Sequence, residues 1–342
     1  MNETAARAHL LAGQVIPAHP LALKMSRDFD ERRQRALTRY YLASGVGGIA
    51  VGVHTTQFAI RERGLLKPVL ALAAQTVIRE AERPCTLIAG AAGNTEQAFK
   101  EATLAADLGY DAVIVSLGAL PTATDAELLA HCRELAEVLP LVGFYLQPAV
   151  GGRVLSYAFW RALAELPRLV AIKIAPFDRY KTLDVVRAVG DAGRADVALY
   201  TGNDDHILLD LLTPVPTARG PRRIVGGLLG QWAVWTSRAT QMMRWIREMH
   251  DVPAANAEWL ARAAALTDAN GAIFDAANGY KGCIAGIHEV LRRQGLLAGR
   301  WCLDPNEQLS PGQAEEITRV CGAYPELADD AFVAAGLEEW LR

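Results

Sequence analysis

Eight short apolar runs recur at roughly 30-residue intervals through the first two-thirds of the chain, about the length of one βαβ unit. They are Gln14-Val15-Ile16-Pro17-Ala18, Gly48-Ile49-Ala50-Val51-Gly52-Val53, Cys85-Thr86-Leu87-Ile88-Ala89-Gly90 and Ala112-Val113-Ile114-Val115-Ser116. Then come Leu141 to Tyr145, Leu169 to Ile174, Val197-Ala198-Leu199-Tyr200-Thr201 and Arg223-Ile224-Val225-Gly226-Gly227. Most are continuously apolar rather than alternating, as parallel strands covered on both faces require. The segments between them read as amphipathic helices. Asn94-Thr95-Glu96-Gln97 opens one and Gly109 closes it; Thr124-Asp125-Ala126-Glu127 is a capping box; Ser156 caps the helix carrying Phe159, Leu163 and Leu166. Eight such units in about 230 residues predict a (β/α)8 barrel, the TIM barrel of the α/β class. An open doubly wound sheet would place a Gly-rich phosphate turn after the first strand, where this chain has Ala18-His19-Pro20-Leu21.

Beyond about residue 235 the strand pattern stops. Met242 to Met249, Asn256 to Leu266, Gly282 to Gln294 and Gln313 to Cys321 read as helices, with Pro305 and Pro311 bracketing a loop. The expected organisation is a barrel over residues 1–240 and a C-terminal helical extension over residues 241–342.

With 51% hydrophobic and 21% charged residues and a net charge of −3, the chain has the composition of a soluble globular protein. No basic run exceeds three residues, so no nucleic-acid partner is expected. The start, Met1-Asn2-Glu3-Thr4-Ala5-Ala6-Arg7, lacks a signal-peptide layout, and no apolar run is long enough for a membrane span. The five cysteines are scattered without a Cys-x-x-Cys, and no two histidines stand at metal-ligand spacing. Neither metal nor cofactor is expected, and the cytoplasm is the expected compartment.

One amine interrupts the sixth apolar run: Leu169-Val170-Ala171-Ile172-Lys173-Ile174. A lysine there either snorkels to water or does chemistry. Desolvation disfavours the ammonium, and a neutral amine attacks a ketone to form a Schiff base. The fifth run repeats the design with Tyr145, followed by Leu146-Gln147-Pro148. In a (β/α)8 barrel the chemistry sits at the C-terminal ends of the strands, so Tyr145 and Lys173 are expected to end neighbouring strands with both side chains in the mouth.

These residues resemble the dihydrodipicolinate synthase / N-acetylneuraminate lyase family of class I aldolases over about residues 12 to 320. The resemblance rests on Tyr145 to Pro148 as Tyr-x-x-Pro, Lys173 on strand six, Thr55-Thr56 after strand two and Gly202-Asn203-Asp204 after strand seven. The helical extension is also a family feature. The resemblance implies that Lys173 forms an imine with pyruvate or another 2-oxo acid and that Tyr145 shuttles protons. It implies that Thr55 and Thr56 hold the substrate carboxylate. It also implies a homotetramer or dimer, and Leu117 and Leu120, read as exposed apolar residues at the rim, would suit a subunit contact. Departures accompany it. The usual Gly-Thr-Thr-Gly-Glu loop is here His54-Thr55-Thr56-Gln57-Phe58; Ser116-Leu117-Gly118-Ala119-Leu120 holds no tyrosine; Val150 occupies the position of the synthase branch's arginine, with Arg153 three residues on. True dihydrodipicolinate synthesis is therefore not expected.

Other candidates carry two readings each. His54, and more weakly His19, is a substrate contact or acid–base group, or a loop histidine bonded to backbone. Asp204 and Asp205 bind hydroxyls of a sugar-like portion or cap the helix from Ile207 to Leu212. Gly202 and Asn203 join Asp204 as substrate-binding candidates. Tyr200, Trp232 and Trp235 read as core or interface, or as an aromatic substrate wall, and Lys181 reads as surface. For the whole chain the readings are a Schiff-base lyase, aldolase or dehydratase, or a catalytically reduced relative that binds a small oxo acid as a sensor or regulator.

Overall fold

The computed structural model describes residues 1–249 and 257–342. Its strands are β1 (Val15–Pro17), β2 (Gly48–Val51), β3 (Thr86–Ala91), β4 (Ala112–Val115), β5 (Leu141–Leu146), β6 (Leu169–Ala175), β7 (Ala198–Thr201) and β8 (Gly226–Leu229). Through this region the helices are α1 (Glu3–Leu11), α2 (Glu31–Ser44), α3 (Leu66–Glu80), α4 (Thr95–Asp107), α5 (Asp125–Val138), α6 (Tyr157–Leu163), α7 (Arg179–Asp191) and α8 (Ile207–Leu212). Alternation of eight strands with helices makes the fold a (β/α)8 barrel. It is followed by α9 (Thr236–Met249), α10 (Ala257–Ile273), α11 (Cys283–Arg293), α12 (Gln313–Ala323) and α13 (Asp330–Trp340). The helix expected from Asn256 is seen from Ala257; Asn256 itself lies outside the described residues.

Two compact units divide the chain. The first comprises Met1–Gln14 and Thr86–Leu228. Its strands β3 to β8 pair in chain order, all parallel. Every residue of β3 to β7 is buried, which is why these runs lack polar alternation. The caps read from sequence form: Asn94 accepts from the Gln97 N–H, Thr124 and Glu127 make the reciprocal box, and Ser156 accepts from the Phe159 N–H. The first helix, α1, has no counterpart in the sequence reading. Arg7 donates to the carbonyls of Leu169 (3.0 Å) and Pro167 (2.8 Å), and Leu10 O accepts the Tyr200 hydroxyl at 2.7 Å. These bonds seat α1 at the N-terminal ends of β6 and β7.

Strand β8 lies later than expected. Arg222 instead exchanges backbone bonds with Val215, and the Arg223 side chain reaches the Leu212 carbonyl at 2.9 Å. Those polar anchors hold the first part of the run in the turn after α8, leaving Gly226–Leu229 to pair.

The second unit comprises Val15–Cys85 and Leu229–Arg342. Here the Ala18 N–H donates to Leu229 O at 3.0 Å and the His19 N–H to Ala50 O at 2.8 Å. The buried Asp329 carboxylate joins α2 to the extension. It accepts from the Tyr40 hydroxyl (2.8 Å), the Ser237 hydroxyl (3.0 Å) and the Gln294 amide (2.9 Å). All five cysteines are free thiols. Among the described residues no helix is long and apolar enough to cross a membrane, and no cluster of metal-ligating side chains forms.

Candidate active site

One irregularity in the β5–β6 ladder decides which side chain meets the lysine. Leu141 pairs with Leu169, but Val142 pairs with Ala171, so β6 carries one extra residue, Val170. Such a bulge shifts every later partner by one and exchanges the faces they present. Phe144 therefore stands opposite Lys173, and Tyr145 opposite Ile174. On the other side Lys173 pairs with Tyr200 of β7.

Lys173 is the one buried lysine among the described residues, 7% exposed. Its Nζ lies 4.5 Å from the centre of the Phe144 ring. Burial pushes the amine down to a pKa of about 8, and the carboxylate of Asp204 opposes that shift. Gly202 makes room for the stem. A Cβ there would stand 2.7 Å from Lys173 Cε and 2.8 Å from Ala175 Cβ. The glycine of Gly202-Asn203-Asp204 thus serves close approach of a side chain.

Tyr145 does not share this face. Its ring packs on Trp160 of α6 at 5.2 Å, and its hydroxyl both donates to Leu155 O and accepts from Leu155 N, each at 3.2 Å. Burial raises its pKa. Gly143, two residues back on the same face, looks toward Leu163 and Trp160 of that helix. The expectation that Tyr145 and Lys173 point together into the mouth is corrected by the bulge at Val170.

Asn203 is fully buried and structural. Its Oδ1 accepts the Phe177 N–H at 3.0 Å, and its Nδ2 donates to Thr182 Oγ1 (3.2 Å) and Asp210 Oδ2 (3.0 Å). That network ties the loops after β6 and β7 to α7 and α8. Asp204 is 7% exposed and acts electrostatically on Lys173. Neither it nor Asp205 caps α8; His206 occupies the cap position without a side-chain bond. Asp205 is half-buried, and its carboxyl pKa is raised by burial.

In the second unit, His54, Thr55 and Thr56 form a short 3-10 turn after β2. The Thr55 hydroxyl donates to Ala18 O at 2.8 Å, and the Thr56 hydroxyl to His19 O at 2.7 Å. Thr56 Oγ1 also accepts from Gly52 N at 3.0 Å. Both hydroxyl protons brace the loop after β1. His54 packs near Phe58, ring centres 6.0 Å apart. His19 is a core residue, bonded to Pro20 O and Thr38 Oγ1 at 2.9 Å and lowered to a pKa of about 4 by burial. Gln57 holds the left-handed φ of +67° that a glycine adopts freely, and its Oε1 accepts the Leu303 N–H at 2.6 Å. The loop keeps a glycine-like backbone without the glycine, anchored instead to the extension.

Arg153 donates to the carbonyls of Leu120 and Ala123 and so fixes the loop after β4. Leu117 is buried at 6% exposure, so it is a core residue rather than an exposed contact. Tyr200, Trp232 and Trp235 are core, and Lys181 pairs with Asp178 at 3.2 Å on α7. The sequence reading missed Phe144, because an aromatic inside an apolar strand gives no sign of the face it takes.

The chain is thus a (β/α)8 barrel that, among the described residues, buries one lysine, on β6, with its pKa lowered. The chain belongs to the dihydrodipicolinate synthetase family, whose model matches residues 12–217. This is a family of pyruvate-dependent class I lyases and aldolases. The chain is similar to N-acetylneuraminate lyase of Citrobacter koseri, 29% identical over 202 residues, which cover 58% of this chain. The match spans 65% of that lyase's length. In structure it resembles dihydrodipicolinate synthase from Oceanobacillus iheyensis, with a TM-score of 0.73 and 20% identity, covering 95% of this chain and 99% of that one. It also resembles a prophage protein of the dihydrodipicolinic acid synthase family from E. coli K12 in complex with pyruvate. There the TM-score is 0.73 at 17% identity, covering 92% of this chain and 98% of that one.

Proposed function

We propose that this protein is a Schiff-base-forming lyase, aldolase or dehydratase acting on pyruvate or another 2-oxo acid, with Lys173 as nucleophile. The observation that carries this reading is the buried amine on β6, with a pKa of about 8, in space cleared by Gly202. A lysine near pH 8 exposes a useful neutral fraction at physiological pH. The amine adds to the keto carbon and the carbonyl oxygen leaves as water. The protonated imine then draws electrons from the adjacent carbon, which loses a proton or a C–C bond. Asp204 is the polar group we assign to the substrate's far portion or to proton exchange at the amine. Tyr145, bonded to Leu155, takes no part in this scheme.

Dihydrodipicolinate synthesis itself is not proposed. Arg153 is committed to two carbonyls, and the loop after β4 holds no tyrosine. Family likeness leads us to propose a homotetramer or dimer; a monomer in sedimentation at micromolar concentration would overturn that.

The test is borohydride trapping with a panel of 2-oxo acids, read by intact mass and peptide mapping. A reduced adduct on Lys173, abolished in Lys173→Ala, is expected. No adduct with any oxo acid, or an adduct elsewhere, sinks the reading. One observation favours a second reading, a binder of oxo acids without turnover: the hydroxyls of Tyr145, Thr55 and Thr56 are all bonded to backbone. Adducts that form while no product appears with any aldehyde or sugar acid would select it.

A further inference from the structure

We infer that Phe144 is a positioning residue for the Lys173 amine: strand β5 presents an aromatic face, not a phenol, to the reacting nitrogen. The inference rests on the Schiff-base reading above. Its support is geometric. The extra residue Val170 sets Phe144 opposite Lys173, and Nζ sits 4.5 Å from the ring centre. Tyr145 faces the helices, its hydroxyl closed on Leu155.

An aromatic face carries negative electrostatic potential and attracts a cation, more strongly where water is excluded. The amine of Lys173 is buried, so the attraction is not screened away. After condensation with a 2-oxo acid the same nitrogen becomes part of a protonated imine, again a cation. That cation is the electron sink of the reaction, so the ring favours the species in which the chemistry occurs. It also supports the ammonium against burial and keeps the side chain in one place.

The titratable groups facing the amine are few. Asp204 lies beyond β7, and Tyr200, in register on β7, has its phenol bonded to Leu10 O and the Gln14 N–H. From α1, Arg7 binds Leu169 O at the far end of β6. On α7, Lys181 and its cap Asp178 act on Tyr145, on the opposite face.

The experiment is the pH profile of borohydride trapping with pyruvate in wild type, Phe144→Leu, Phe144→Met, Phe144→Tyr and Tyr145→Phe. Loss of the ring destabilises the ammonium, so the trapping midpoint in Phe144→Leu should fall by roughly 0.5–1.5 pH units. Phe144→Tyr keeps a ring and should restore the wild-type midpoint. Tyr145→Phe should leave it in place. Phe144→Met serves where the leucine variant folds poorly, with the same downward shift expected. A leucine or methionine profile that superimposes on wild type, or a shift in Tyr145→Phe alone, overturns the inference while the Schiff base stands. No adduct in wild type sinks both.

Discussion

Gly202 lies against the stem of Lys173 so closely that a Cβ there would stand 2.7 Å from Lys173 Cε. The glycine after β7 and the lysine on β6 therefore form one feature. Gly202→Ala should displace the amine and cut the rate of borohydride trapping with pyruvate. Forcing a methyl into this packed site should also lower unfolding free energy by about 1–3 kcal/mol. Trapping at the wild-type rate would show that the stem does not need this space.

Lys173 also makes stability depend on pH. Its folded pKa of about 8 lies below the ordinary 10.5, so the unfolded chain holds the proton more tightly. The resulting penalty is full below about pH 8 and is relieved as pH rises toward 10.5, a span worth roughly 3 kcal/mol. Lys173→Met should therefore be more stable than wild type at pH 7, with the gap closing in denaturant titrations above pH 8. Equal stability at pH 7 would contradict the buried charge.

Two core histidines should make the protein acid-sensitive. His19 and His288 are fully buried with pKa values of about 4 against an ordinary 6.5. The unfolded chain binds these protons first, so stability is full above about pH 6.5 and is lost as pH falls toward 4. Each contributes roughly 3 kcal/mol over that window. Thermal melts between pH 7 and 4 should show the loss, and His19→Gln should flatten part of it. An unchanged slope in that variant would remove His19 from the account.

Tyr145→Phe separates a structural phenol from a chemical one. Removing the hydroxyl leaves both backbone groups of Leu155 short of a partner, which should cost about 1–3 kcal/mol. Borohydride trapping on Lys173 should persist near the wild-type rate. A turnover loss of about 10²–10⁴-fold with stability unchanged would instead mark Tyr145 as an acid–base group.

Gln57 combines backbone strain with a tertiary bond to Leu303. Gln57→Ala keeps the strain and loses the bond, and should cost about 1–3 kcal/mol. Gln57→Gly loses the bond but relieves the strain, and should recover roughly 1 kcal/mol of that. Equal losses in chemical denaturation would show that the left-handed backbone carries no penalty here.

The sequence by itself determined the barrel, because burial on both faces forces parallel strands to be apolar and a βαβ crossover fixes their spacing. It also determined the helix caps at Asn94, Thr124 and Ser156, which are local contacts within one turn. It placed the single buried lysine on β6, since no other apolar strand carries an amine. Tertiary structure decided which strand-five residue meets that lysine. Tyr145 and Lys173 have the same separation as Leu141 and Leu169, which do pair. An unbroken register would have carried that pairing through to Tyr145 and Lys173. The extra residue at Val170 shifts the ladder by one, and because side chains alternate along a strand, one residue of shift replaces Tyr145 by Phe144. No local signal in the sequence reveals such a bulge. The fates of Asn203, Arg153 and the Thr55-Thr56 pair were decided in the same way, by backbone groups that folding alone brings within reach.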